Sequence, residues 1–207
     1  MMRAYIFVGG EIDAASLPER PKTGDMTVAA DSGWNNAELL GIKPKILLGD
    51  FDSIGRDRLP DAEEILQVPA EKDRTDTQLA VDLALSRGAD DFIIIGGLSG
   101  RLDHTLSNLS LLEYIASRGA HAILTDGFNR ARYLKNGGAL IARSAYTYLS
   151  LIVAGNLAKG VTLDGCKYPL KNAKLTRECQ WAISNEIVGN CALVEVRKGA
   201  LFIIESK

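Results

Sequence analysis

Along the first part of the chain, apolar positions fall into short unbroken runs separated by mixed stretches. Tyr5-Ile6-Phe7-Val8 stops at Gly9-Gly10, Thr27-Val28-Ala29-Ala30 at Asp31, and Ile46-Leu47-Leu48 at Gly49-Asp50. Phe92-Ile93-Ile94-Ile95 stops at Gly96-Gly97, and Ala122-Ile123-Leu124-Thr125 at Asp126-Gly127. Runs that are apolar at every position suit strands buried on both faces of a mostly parallel sheet. Helical spacing lies between them. Thr75-Asp76-Thr77-Gln78 has the form of a capping box and opens a helix through Leu79, Leu83 and Ala84 to Arg87, which Gly88 stops. A second helix is expected from near Asp103, capped by that residue, with Leu106, Leu109 and Leu112 inward and its end before Gly119.

The pattern changes near Asn136-Gly137-Gly138. Beyond that point short segments replace long helices: Tyr146 to Val153, Val161 to Leu163, Ala173 to Leu175, Cys191 to Val196, and Leu201 to Ile204. Gly155-Asn156, Asp164-Gly165, Gly189-Asn190 and Lys198-Gly199 read as the turns between them. The expected fold class is therefore α/β followed by β: a mostly parallel α/β domain over residues 1–135, then a small antiparallel β-sandwich over 136–207. So small a sandwich gains support from its neighbour or from a dimer mate.

Composition narrows the function classes. The chain has 207 residues, 46% hydrophobic and 24% charged, which is globular rather than disordered. Its 24 Lys plus Arg against 26 Asp plus Glu give a net charge of −2, which lacks the footprint of a general nucleic-acid binder. The apolar run at Tyr5–Val8 is too short for a signal-peptide core, and no stretch approaches the ~18 residues of a membrane span. Cys166, Cys179 and Cys191 form no CxxC pair, which argues against a disulfide framework or zinc site. The reading is a cytoplasmic protein with reduced thiols, no nucleic-acid partner and no membrane.

Candidate chemistry gathers where the apolar runs stop. Ligands of a parallel α/β sheet bind beyond the carboxyl ends of its strands, and these ends carry Asp31 and Asp50, with Asp52 two residues on. One Asp at a strand end is usually a turn former or a cap. The Asp50-Phe51-Asp52 pair offers two hard oxygens of the kind that hold Mg²⁺. In Glu71-Lys72-Asp73-Arg74-Thr75-Asp76, a capped helix explains Thr75 but not the surrounding charge. Asp76 is a third carboxylate for metal, and Lys72 or Arg74 a partner for phosphate. Gly96-Gly97-Leu98-Ser99-Gly100 is a glycine-rich loop between strand and helix, which lets backbone approach a nucleotide. Arg101 follows with a bidentate fork for phosphate, then Asp103 and His104. Asn108, one turn further, reads as structural, and Trp181 reads as core.

In order along the chain, Ala30-Asp31-Ser32-Gly33, Gly49-Asp50-Phe51-Asp52-Ser53, Lys72-Asp73-Arg74-Thr75-Asp76, Gly100-Arg101-Leu102-Asp103-His104 with Asn108-Leu109, and Ser184-Asn185-Glu186 resemble thiamine pyrophosphokinases. The resemblance spans nearly the whole chain. It implies a catalytic ATP- and Mg²⁺-binding first domain, a thiamine-binding and dimerising second domain, and a homodimer with composite active sites. It further implies transfer of a pyrophosphoryl group from ATP to thiamine, giving thiamine diphosphate and AMP. Metal would fall to Asp50, Asp52 and Asp76. Catalysis would involve these with Asp73, Arg101 and Asp103, phosphate contact Asp31, Lys72, Arg101 and His104, and thiamine Ser184 and Asn185. Asp73 and Asp103 are both open as the proton acceptor. The competing readings are a pyrophosphokinase for another alcohol such as a hydroxymethyl pterin, and a non-catalytic sensor of nucleotide or thiamine diphosphate.

Overall fold

The structure, a computed structural model, describes residues 2–51, 61–69, 71 and 73–207. The chain divides into two compact units, Met1–Gly127 and Phe128–Lys207. In the first unit the elements are β1 (Arg3–Phe7), β2 (Met26–Ala30), α1 (Gly33–Leu39), β3 (Ile46–Gly49), β4 (Glu64–Gln67), α2 (Asp76–Ser86), β5 (Asp91–Ile95), α3 (Leu102–Ser117) and β6 (His121–Thr125). The strands are parallel throughout, in the order β6-β5-β1-β2-β3-β4. Tyr5, Phe7, Ala29, Leu47, Ile93 and Ile95 pack with Ala37 of α1. Their alternate neighbours Ala4, Ile6, Val28, Leu48 and Ile94 are buried as well and point to the opposite face. Burial on both faces is what the unbroken apolar runs require. The sheet edge β4 alternates half-buried and exposed positions instead, so no such run announces it.

The α2 start follows its capping box: Thr75 Oγ1 accepts from Gln78 N at 3.2 Å. The second helix forms where expected but differs in its cap and its inward face. It begins at Leu102, Arg101 stands at the N-cap, and Asp103 sits in the first turn. Its inward face is Asn108, Leu111, Leu112 and Ile115, whereas Leu106 is exposed. The buried set keeps i, i+3, i+4, i+7 spacing once Asn108 counts as an inward position. A polar residue there hides the register from a purely apolar count.

The second unit contains β7 (Asn129–Ala142), β8 (Tyr148–Val153), β9 (Leu157–Asp164), β10 (Leu170–Thr176) and β11 (Cys191–Ser206). Positions 135 and 136 lie inside β7. β11 runs antiparallel to β7 along its whole length; on its other side its first half pairs β9 and its second half β8. β10 extends β9. Leu149, Leu151, Val161, Leu163, Val194, Leu201 and Ile203 form the centre of this antiparallel sandwich.

Lys198-Gly199, expected as a turn, lies within β11. The ladder shifts register between Val196 and Ala200, and Gly199 takes φ +111° while its N–H donates to Asn136 Oδ1 at 2.9 Å. This is a bulge: the glycine interrupts pairing but not the strand. No described helix is long and apolar enough to cross a membrane.

Candidate active site

In the first unit the strand order reverses at β1, with β2 on one side and β5 on the other. A crevice at the carboxyl ends of such a switch point is the usual ligand site of an open parallel sheet. A cleft of about 360 Å³ lies there, lined by Val8–Gly10 after β1, Ala30–Ser32 after β2, Thr75–Thr77 at the start of α2, and Gly97, Ser99–Arg101, His104 and Asn108 around the start of α3. The loops after β1 and β5 are laced together. Val8 N donates to Ile95 O at 2.8 Å, Gly97 N to Gly9 O at 2.9 Å, and Glu11 N to Ser99 Oγ at 2.7 Å. Gly96 has φ +97°, and a Cβ there would stand 2.3 Å from Val8 O. No other residue permits this approach.

The candidate site residues divide into those that reach the cleft and those that do not. Asp31, Asp76, Arg101 and His104 line it. Asp31 holds a left-handed φ of 47°, with its N–H donating to Leu48 O at 2.8 Å. Its buried Oδ1 has no hydrogen-bond partner among the described residues, a costly arrangement for a carboxylate oxygen unless a ligand completes it. Asp50 follows β3 directly and is half-buried, beside but not lining the cleft. Asp73 is exposed in the turn before α2. Asp52 and Lys72 lie outside the described residues.

Among the described residues no three His, Cys, Asp or Glu form a metal-holding group. Mg²⁺ commonly takes only one or two carboxylates and leaves the rest of its shell to water and phosphate. The hard oxygens of Asp31 and Asp76 on one cleft, one of them orphaned, fit that donor chemistry.

The cations are held differently from one another. Arg74, a phosphate candidate beside Lys72, pairs with Asp82 at 2.9 Å, and Tyr114 Oη donates to the other oxygen of Asp82 at 2.5 Å. Arg101 closes its fork on Asp103, Nε to Oδ1 at 3.1 Å and Nη2 to Oδ2 at 2.6 Å. That hydrogen-bonded pairing, helped by the His104 N–H, holds the Asp103 carboxyl below its usual range. Both side chains are largely in water, 72% and 63% exposed, so the pair adds little stability and the fork is easily exchanged for a phosphate.

In the second unit Ser184 and Asn185 play unlike parts. Ser184 is exposed at φ 56°, its N–H donating to Ser150 Oγ at 3.0 Å. Asn185 is only 5% exposed. Its Oδ1 accepts from Tyr168 N at 3.0 Å and Glu186 N at 2.9 Å, and its Nδ2 donates to Tyr168 O at 2.7 Å. The amide thus clasps the backbone of Tyr168, whose ring is 62% exposed. Lys167 Nζ stands 5.7 Å from that ring's centroid and 3.1 Å from Glu186. Trp181, expected in the core, is half exposed, because its neighbour Ala182 takes the inward position and bonds Leu151. Tyr168 escapes a motif search, since only the fold brings it beside Asn185.

The chain matches the thiamin pyrophosphokinase catalytic domain over residues 19–124 and the thiamin pyrophosphokinase vitamin B1 binding domain over 139–201. It is 35% identical over 184 residues to thiamine pyrophosphokinase of Bacillus subtilis, covering 86% of each chain. The crystal structure of the Bacillus subtilis thiamine pyrophosphokinase superposes with a TM-score of 0.87 at 29% identity over 99% of both chains. That of Geobacillus thermodenitrificans gives 0.85 at 29% identity, covering 100% of this chain and 98% of the other. With both domains matched in order and a relative this similar across most of its length, the chain belongs to the thiamine pyrophosphokinase family.

Proposed function

We propose that this chain transfers a pyrophosphoryl group from ATP to the hydroxyethyl oxygen of thiamine, giving thiamine diphosphate and AMP. The observation that carries the reading is the cleft at the β1–β5 switch point. Two laced glycine loops, the orphaned Asp31 Oδ1, Asp76 and the Arg101 fork converge there, in a chain of this family.

The glycine loops admit a triphosphate close to backbone, and Arg101 leaves Asp103 to take phosphate oxygens. Asp50, Asp52 and Asp76 would hold Mg²⁺, with Asp31 Oδ1 as a further donor. Bound there, the ion would offset phosphate charge and favour departure of AMP. The thiamine oxygen bonds to the β-phosphorus as the bond from that phosphorus to the α,β-bridging oxygen breaks, and AMP leaves with the electron pair. The hydroxyl proton passes to a carboxylate, for which Asp73 and Asp103 are the candidates. When Arg101 leaves for phosphate, Asp103 loses the bonds that most depress its basicity and keeps the His104 N–H on Oδ1 at 2.9 Å, which leaves it a positioned acceptor. Positioning and electrostatics supply the rate, as in phosphoryl transfer generally.

The second unit takes thiamine. Ser184 offers a hydroxyl, and Tyr168, set in place by Asn185, offers an exposed ring face, which suits the thiazolium. The working form is a homodimer with composite sites. The unpaired thiols of Cys166, Cys179 and Cys191 suit a cytoplasmic setting. The deciding assay incubates the protein with ATP, Mg²⁺ and thiamine. AMP and thiamine diphosphate are expected in equal amounts, with neither formed when thiamine is omitted; ADP in place of AMP would overturn the proposal.

A further inference from the structure

Asparagine is a poor helix former, because its amide competes for backbone groups. Yet α1 and α3 each bury one: Asn36 is 7% exposed and Asn108 4%. Neither belongs to the reacting groups described above. A buried amide is costly unless its hydrogen bonds are made, and both of these make theirs to one structure, the backbone of the two glycine loops. Asn36 Nδ2 donates to Val8 O at 2.7 Å and to Gly10 O at 2.9 Å. Asn108 Nδ2 donates to Gly97 O at 2.9 Å. Gly97 N in turn donates to Gly9 O. The result is one connected path from α1 through the loop after β1, across to the loop after β5, and into α3.

We infer that Asn36 and Asn108 are positioning residues for the nucleotide, fixing from behind the loop backbone that receives its phosphates; this rests on the reading of the cleft as the ATP site. In a trans peptide the N–H points opposite to its carbonyl. With Asn36 on Val8 O and Asn108 on Gly97 O, the N–H groups of Gly9, which lines the cleft, and of Leu98 are turned away from the anchors. Gly10 and Gly97 both line the cleft. Binding a polyanion on backbone N–H groups depends on their being held before it arrives, since ordering a loop on binding costs affinity. An apolar residue at either position would fill the space but leave the carbonyls unmade. A Cβ at Gly97 would stand 2.5 Å from Asn108 Nδ2, so the absence of a side chain at 97 is what lets the amide reach the loop.

The test measures binding of a non-hydrolysable ATP analogue by calorimetry, without thiamine, alongside steady-state kinetics. Asn36→Asp and Asn108→Asp keep the shape and exchange the donor for an acceptor; Asn36→Ala and Asn108→Ala remove it without adding charge. Each is expected to weaken the analogue roughly ten- to hundredfold and to raise KM for ATP, while KM for thiamine moves less than about threefold. A merely structural role would move both substrates together.

Analogue affinity within twofold of the parent in the folded single variants would overturn the inference. Arg101→Ala separates the two levels of the argument. If it weakens the analogue while the asparagine variants do not, the inference falls and the ATP site stands. If the parent chain fails to bind the analogue, or Arg101→Ala leaves it untouched, both fall.

Discussion

Polar side chains in this molecule follow two regimes, and the difference lies in what water can do for them. Arg101 and Asp103 are mostly solvated, so their pairing is cheap to break and available for exchange. Asn185 is enclosed, so its three bonds to backbone cannot be replaced by water. Asn185→Ala leaves the Tyr168 and Glu186 groups unmade. A loss of about 1–3 kcal/mol in unfolding free energy is expected, together with a raised KM for thiamine and little change in KM for ATP. Denaturant melts and kinetics with each substrate varied would check this, and a variant impaired chiefly toward ATP would remove Asn185 from the thiamine side. Cys166 is enclosed as well: burial pushes its thiol from an ordinary 9.0 up to about 11. The folded chain keeps that proton where the unfolded chain loses it, so its contribution to stability is full below pH 9 and drains away between pH 9 and about 11. At neutral pH it stays a protonated, buried thiol. An alkylating reagent should label the exposed Cys179 and Cys191 in the native protein and reach Cys166 only after denaturation; rapid native labelling of all three would refute its burial.

At the scale of elements, what the sequence reveals depends on whether a single local rule decides the outcome. The interior parallel strands are legible because burial on two faces demands runs without polar interruption, and the start of α2 because its cap is complete in four residues. The edge strand β4 and the register of α3 are not, since one is half solvated and the other turns inward on Asn108. β11 is concealed by its own bulge. Gly199 looks like a turn glycine, and only pairing with β7 on one side and with β8 and β9 on the other shows that the strand continues. Placement on the cleft is legible where a motif stands at a strand or helix end, as at Asp31, Asp76 and Arg101, and hidden where tertiary contact decides a residue's surroundings, as at Asn36 and Tyr168. The bulge also makes a prediction. A Cβ at Gly199 would meet Leu157 O at 2.5 Å in a backbone conformation with φ +111°, so Gly199→Ala has neither space nor an allowed conformation. A loss of roughly 2–4 kcal/mol is expected, read as a lower denaturant midpoint with an unchanged slope. A midpoint equal to the parent's would mean that the bulge is not held as described.

At the scale of the whole molecule the chemistry is divided. The carboxylates and cations proposed for metal and ATP belong to the first unit, and the neutral hydroxyl and exposed ring proposed for thiamine belong to the second. Such a division permits two designs: each chain completes its own sites, or two copies share them. The proposed homodimer with composite sites is of the second kind, and symmetry makes it testable without a structure of the complex. Asp76→Asn disables the nucleotide half of a site, and Asn185→Ala the thiamine half. Each pure variant is expected to be weak. If the two are unfolded together, mixed and refolded, half of the dimers are mixed. With shared sites each mixed dimer has one doubly altered site and one intact site, so recovery of about a quarter of the parent activity is expected from the symmetry of the pair. Sites completed within one chain would leave every site singly altered and give no recovery above the mean of the two variants. Sedimentation of the parent protein at assay concentration provides the companion measurement. A monomer that retains full activity would exclude shared sites outright, whereas a dimer together with recovered activity would assign the two halves of each site to different copies.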